Sequence, residues 1–139
     1  MNGNSFISFL LRSPLHRMMS GSTMLITVTG RKSGRPITTP VNYYQEGDTL
    51  LVISNRERTW WRNLKGGASL KLRLRGQEVN GFGEVLLDEP AVAVQIGEYV
   101  RHLPISARSL GVYMQEGQPD PADLRRLAQE RVMVRINLV

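Results

Sequence analysis

The chain has no cysteine, only two histidines and three phenylalanines, and no long apolar run. Without cysteine there can be no disulfide, thiolate metal site, iron–sulfur cluster or cysteine nucleophile, and two histidines are too few for a His-rich metal centre. No metal is expected. A membrane helix needs about 18 or more consecutive apolar residues, whereas the first apolar stretch, Phe6 to Leu11, is short, is ended by Arg12 and has no basic residue ahead of it. That is not a secretory signal, and a soluble, cytoplasmic protein is expected. Acidic residues are also scarce, 12 against 18 basic ones.

The 139 residues, 41% of them hydrophobic, suffice for a single domain spanning residues 1–139, with one core that needs no staple. The basic excess is local. Between Gly30 and Gly76 ten basic residues stand against three acidic ones, and the rest of the chain holds eight against nine. Such a field attracts an anion: a phosphorylated cofactor, a nucleic acid or an acidic lipid surface. Fifteen of the 18 cations are arginine, whose planar fork suits phosphate and carboxylate.

Phe6, Phe9 and Leu10 at helical spacing, and Ser13 capping Pro14, predict two short helical turns. Thr23 to Thr29, Ile37 to Tyr44 and Thr49 to Ser54 are rich in β-branched and aromatic residues and read as strands, the last two joined by a hairpin at Glu46, Gly47 and Asp48. A helical turn at Asn55 to Leu64 precedes Ser69 to Arg75, where leucines alternate with Lys71, Arg73 and Arg75. Glu78 to Leu87 continues as a strand in which Gly81 and Gly83 suggest a bulge or sharp bend. Asp88 with Pro90 starts a helix to about Leu103, Asp120 with Pro121 another to about Glu130, and Val132 to Leu138 alternates as a last strand. The expected fold is α+β, a six-stranded antiparallel split β-barrel with peripheral helices.

Two segments carry chemistry. Gly30 to Pro36 places Arg31, Lys32, Ser33 and Arg35 around glycines that permit positive φ, so that successive N–H groups could converge on a phosphate. A solvated hairpin turn is the plain alternative. The loop is no Walker motif, since the spacing and the following helix are missing. Trp60 and Trp61, adjacent on a helical turn, point in different directions, so one is expected in the core and the other as an aromatic wall for a flavin-like ring or nucleobase, or as an oligomer contact.

The succession Thr29 to Pro36, Thr39-Pro40-Val41, the Gly47-Asp48 hairpin with Leu51 to Ser54, then Trp60-Trp61-Arg62-Asn63-Leu64 resembles the deazaflavin (F420)-dependent nitroreductases. These are split-barrel flavin and deazaflavin oxidoreductases within the FMN-binding, pyridoxamine-phosphate-oxidase-like fold. The resemblance runs from Thr23 to Gly76 and more loosely beyond. It implies that Arg31, Lys32, Ser33 and Gly34 hold the phosphate of the cofactor tail, with Arg35 serving further negative charge. It implies also that Pro40, Val41, Ser54 and Asn55 lie along the ring, and that Trp60, Trp61 and Asn63 line the same pocket. Asn55-Arg56-Glu57-Arg58 replaces the lysine and paired glycines of the activating nitroreductases, and their C-terminal tyrosine cluster is not recognisable here.

The implied activity is hydride transfer from the reduced cofactor to a small organic acceptor, a quinone, nitro compound or enone. F420 is the implied cofactor and FMN the alternative, and a homodimer is compatible with both. The proton donor stays open among Tyr43, Tyr44, Tyr99, His102 and Tyr113, with Tyr99 and His102 sharing one helix face and Tyr43 and Tyr44 pointing to opposite sides of a strand; His16 has no assigned role. The competing readings are an FMN-binding protein without fast chemistry, a nucleic-acid-binding barrel using Lys71, Arg73 and Arg75, and an interaction module anchored by an indole. Nucleic acid is the less favoured partner.

Overall fold

Alternating apolar residues build two cores on either side of one sheet. The computed structural model describes residues 23–139; the expected helical turns before Thr23, and His16, lie outside them. The strands are β1 (Thr23–Thr29), β2 (Pro36–Asn42), β3 (Tyr44–Glu46), β4 (Thr49–Asn55), β5 (Ala68–Leu74) and β6 (Gln77–Leu86), with β9 (Arg131–Leu138) after the helices. They form one antiparallel sheet in the order β2-β1-β5-β6-β9-β4-β3. Met24, Ile26, Val41, Leu50, Val52, Leu70, Leu72, Val134 and Ile136, drawn from strands across its whole width, meet in a shared interior. The sheet is therefore curled into a split barrel.

Helix α1 (Glu89–His102) and helix α3 (Pro121–Glu130) cover the outer face, where Val92, Ile96, Val100, Leu127 and Met133 form the second core. Asp88 and Asp120 cap these helices, accepting from the N–H groups of Ala91 at 3.0 Å and Ala122 at 2.9 Å, each with a proline in the first turn. Both caps are where the sequence puts them. Strand β9 serves both cores, Val132, Val134 and Ile136 facing inward and Met133 outward.

Three expectations change. The sheet has seven strands rather than six, because the segment expected to run from Ile37 to Tyr44 breaks at Tyr43 into β2 and β3. Tyr43 turns into the barrel while Tyr44, partly buried, packs on α1 on the opposite side. No bulge marks Gly81 and Gly83, whose pairing with β5 and β9 is continuous. These glycines make room instead: a Cβ on Gly83 would stand 2.6 Å from Leu70, and one on Gly81 2.8 Å from Ile136. The polar stretch after α1 also holds structure that the sequence pattern did not predict, a short helix α2 (Ile105–Leu110) and a hairpin of β7 (Met114–Gln115) with β8 (Gln118–Pro119).

Candidate functional site

The barrel's seam, where β2 approaches β4, holds a cavity of about 410 Å³. Pro40, Val41 and Asn42 line it from β2, Ile53, Ser54 and Asn55 from β4, with Arg58 and Arg131 at its rim. Four residues expected along a cofactor ring, Pro40, Val41, Ser54 and Asn55, are thus brought together. Arg58 and Arg131 also line it, and neither was named from the sequence among the cofactor-binding residues. Two cations and no acid among the lining residues make this a site for an anion or for an electron-rich planar group.

The 3-10 helix at Trp60–Leu64 supports this cavity from behind. The Trp60 indole N–H donates to Ser54 Oγ at 3.1 Å, and the Trp61 indole N–H donates to the Asn55 carbonyl at 3.0 Å. Both rings are only 4% exposed. This corrects the expectation of one inward and one outward indole: both are core residues, and neither lines the cavity. Two cations still stand by the Trp61 ring, Arg62 at 5.3 Å and Lys65 at 5.9 Å from its centroid. Asn63 ties this helix to the basic loop, its amide donating to the Trp60 carbonyl and its Oδ1 accepting from the Arg31 N–H, both at 3.0 Å.

The loop itself is a closed hairpin turn. The N–H of Gly30 donates to the Arg35 carbonyl, that of Gly34 to the Gly30 carbonyl, and that of Arg35 to Ser33 Oγ, at 2.8, 2.7 and 3.1 Å. With the Arg31 N–H on Asn63, four of the loop's donors are satisfied inside the protein, so the expected nest of convergent N–H groups is not formed. What the loop presents outward is side chains, the exposed Arg31, Lys32 and Arg35, and the Arg31 guanidinium also donates to the Lys65 carbonyl. Gly34, at φ +70°, makes the turn.

Loop and cavity lie at opposite ends of the β1–β2 hairpin, since Thr29 pairs with Pro36 and Thr23 with Asn42. At the usual rise of a strand this is a separation of roughly 20 Å. Between them run Lys65, Arg62 and Arg58, the last donating to Thr39 Oγ1 at 2.9 Å. Arg56 is not part of this track. Its guanidinium is spent on main-chain carbonyls, Ala128 and Leu87, each at 2.8 Å.

Of the candidate proton donors, Tyr43 and Tyr99 border a second cavity that adjoins the first. Tyr44 and His102 lie apart, stacked at 5.6 Å between ring centroids around a third cavity, with Tyr99 edge-on to Tyr44 at 6.2 Å. His102 is exposed and its Nε2 lies 3.6 Å from Glu98. Tyr113 is 64% exposed and belongs to none of these three cavities. Burial raises the Tyr99 phenol above the ordinary tyrosine value, and it raises Tyr43 as well, against the opposing pull of the nearby Arg75. A raised tyrosine favours the fold while it stays neutral, so this contribution is complete below about pH 10 and is lost as pH rises through the raised values. An alkaline titration followed by phenolate absorbance should therefore find Tyr43 and Tyr99 ionising above the ordinary tyrosine range, together with loss of structure. Their ionisation in the ordinary range with the fold intact would contradict the burial.

Residues 13–95 match the model of the F420H(2)-dependent quinone reductase family. The chain belongs to that family. F420H(2) is named in the family's own description, in line with the cofactor expected from the sequence. Among solved structures the chain is similar to a pyridoxamine 5'-phosphate oxidase-like protein from Listeria innocua, at 14% identity and TM-score 0.54 over 96% of this chain and 90% of that one. It is also similar to an FAD and haem binding protein from Mycobacterium smegmatis, at 14% identity and TM-score 0.53 over 92% and 67%. A third, Atu2129 from Agrobacterium tumefaciens, has 16% identity and TM-score 0.56 over 93% and 56%. These likenesses show the split-barrel fold. No curated protein matches the chain. Among the described residues no helix is long and apolar enough to cross a membrane.

Proposed function

We propose that this protein is an oxidoreductase that binds F420 along the track from the basic loop to the seam cavity and reduces a quinone. The observation that carries this reading is the pairing of an acid-free cavity of ring size with an exposed basic loop roughly 20 Å away along the same hairpin, in a chain of this family. The residues fit the group. Pro40, Val41 and Ile53 offer an apolar flank to a planar ring, and Ser54 and Asn55 offer polar atoms to its edge. Arg31, Lys32 and Arg35 meet the anionic tail with side chains, and Ser33 and Gly34 shape the turn that presents them. Trp60, Trp61 and Asn63 act from behind, fixing Ser54, Asn55 and the loop through the hydrogen bonds already described.

When bound, the reduced deazaflavin supplies a hydride equivalent. The protein's part is to hold the ring at the seam, keep water from its apolar flank and retain a proton at the Tyr99 hydroxyl beside the adjoining cavity. A nitro compound or enone is a possible acceptor of the same kind; the family description favours the quinone.

The test is a titration of the purified protein with F420 and, separately, FMN, at low and moderate salt. F420 should bind more tightly and keep most of its affinity in moderate salt. In the double variant Arg31→Ala, Lys32→Ala its dissociation constant should rise by about tenfold or more, the equivalent of one lost charge-assisted contact. The melting temperature should change little, since exposed loop charges contribute little stability. Equal affinity in the double variant would remove the tail assignment. Binding of FMN alone would turn the reading to a flavoprotein, and binding of neither would end it.

A further inference from the structure

The seam cavity opens into a second cavity of about 500 Å³, and the two share Asn42, Ile53 and Arg131. The second lies under helix α2, with Tyr99, Leu103 and Leu110 giving it apolar walls. The serine hydroxyls of its lining are spent. Ser106 Oγ donates to the Leu103 carbonyl at 2.6 Å and Ser109 Oγ to the Ser106 carbonyl at 3.0 Å, so both hydroxyl protons are held by the helix.

Arg131 is different. It is the one ionised group among the described residues lining this cavity. As the first residue of β9, paired with Asn55, it stands at the neck between the two cavities. Its Nε is buried without a hydrogen-bond partner, and no carboxylate among the described residues lies within ion-pair distance. A half-buried guanidinium with an unsatisfied donor is costly. In a neighbour such as Arg56 every buried donor finds a carbonyl. The charge of Arg131 has no counter-ion among the described residues, and an anionic oxygen entering the neck would supply one at the terminal nitrogens of the planar fork, which suit that geometry.

We propose that the second cavity is an acceptor subsite selective for an aromatic ring bearing an acidic oxygen, such as a hydroxyquinone, with Arg131 holding that oxygen. Its role as acceptor subsite rests on the reading of the seam cavity as the cofactor's ring site; its preference for an anion does not. The apolar walls of α1 and α2 take the ring body, and Arg131 sets which edge of the ring faces the seam.

The experiment is calorimetric binding of two probes to the full chain, with and without F420. The first is lawsone, a hydroxynaphthoquinone that is anionic at neutral pH, and the second menadione, a methyl counterpart that is neutral. Lawsone should bind about tenfold more tightly or better. Arg131→Gln should erase the difference and Arg131→Lys should keep part of it. Ser109→Trp, which fills the second cavity from α2 without touching the first, should weaken both probes and leave F420 affinity intact. Equal binding of the two probes, or a preference that survives Arg131→Gln, overturns the proposal. If Arg131→Gln does not fold, undiminished probe binding in Ser109→Trp overturns it equally. Failure to bind F420 with the lawsone preference intact would count against the oxidoreductase reading and leave the anion site standing.

Discussion

Trp60→Ala is expected to destabilise the fold by about 3–5 kcal/mol, the usual cost of deleting a large buried aromatic. Trp60 is 4% exposed, in the barrel core, and its indole N–H is the support of Ser54. Trp60→Phe separates the two roles. It keeps most of the packing and should cost less than the alanine variant, yet it leaves Ser54 without its indole donor, so cofactor affinity should fall by more than the stability loss suggests. Urea unfolding of both variants, with F420 titration of whichever remains folded, checks this. A Trp60→Phe protein with unchanged affinity would show that Ser54 needs no support.

The second large effect is expected from Arg56→Met, which keeps the aliphatic stem and removes the guanidinium. Charged hydrogen bonds to carbonyls contribute about 1.5–3 kcal/mol each, and Arg56 donates to the Ala128 carbonyl at the end of α3 and to the Leu87 carbonyl before α1. The variant should lose about 2–4 kcal/mol, less than the full sum because water can reach part of the gap. Arg58→Met, two residues away, should leave stability nearly unchanged and weaken cofactor binding. Thermal unfolding of the pair distinguishes them, and similar melting temperatures would contradict the assignment.

That contrast shows how far the sequence could be read. Arg56, Arg58 and Arg62 look alike in a basic stretch, and only the approach of α3 and β6 to the end of β4 makes the first a structural clamp. Periodicity located β1, β4, β5, both long helices and β9 almost to the residue, because each buries one face and the alternation or capping is local. It could not see that Tyr43 turns into the barrel and breaks a strand in two, nor that α2 forms within a polar stretch. Of the residues lining the seam cavity, Pro40, Val41, Ser54 and Asn55 were named through the family's motif order. Arg131 was not: in the alternation of β9 it has the same parity as Arg135, and only the packing of β9 beside β4 brings it to the seam while Arg135 lines a different cavity.

The central place of β9 has a consequence for the order of assembly. The strand that follows all the others in the chain is the one that fills the gap between β6 and β4. While the chain is being synthesised, β1, β2, β5 and β6 can pair among themselves, as can β3 and β4, but each group carries an open edge facing the other until β9 arrives. Such edges are templates for pairing with another chain, and closing them depends on contacts between residues far apart in sequence, which form slowly. The neck of the two cavities, carried on the first residue of that strand, is consequently among the last features of the molecule to exist.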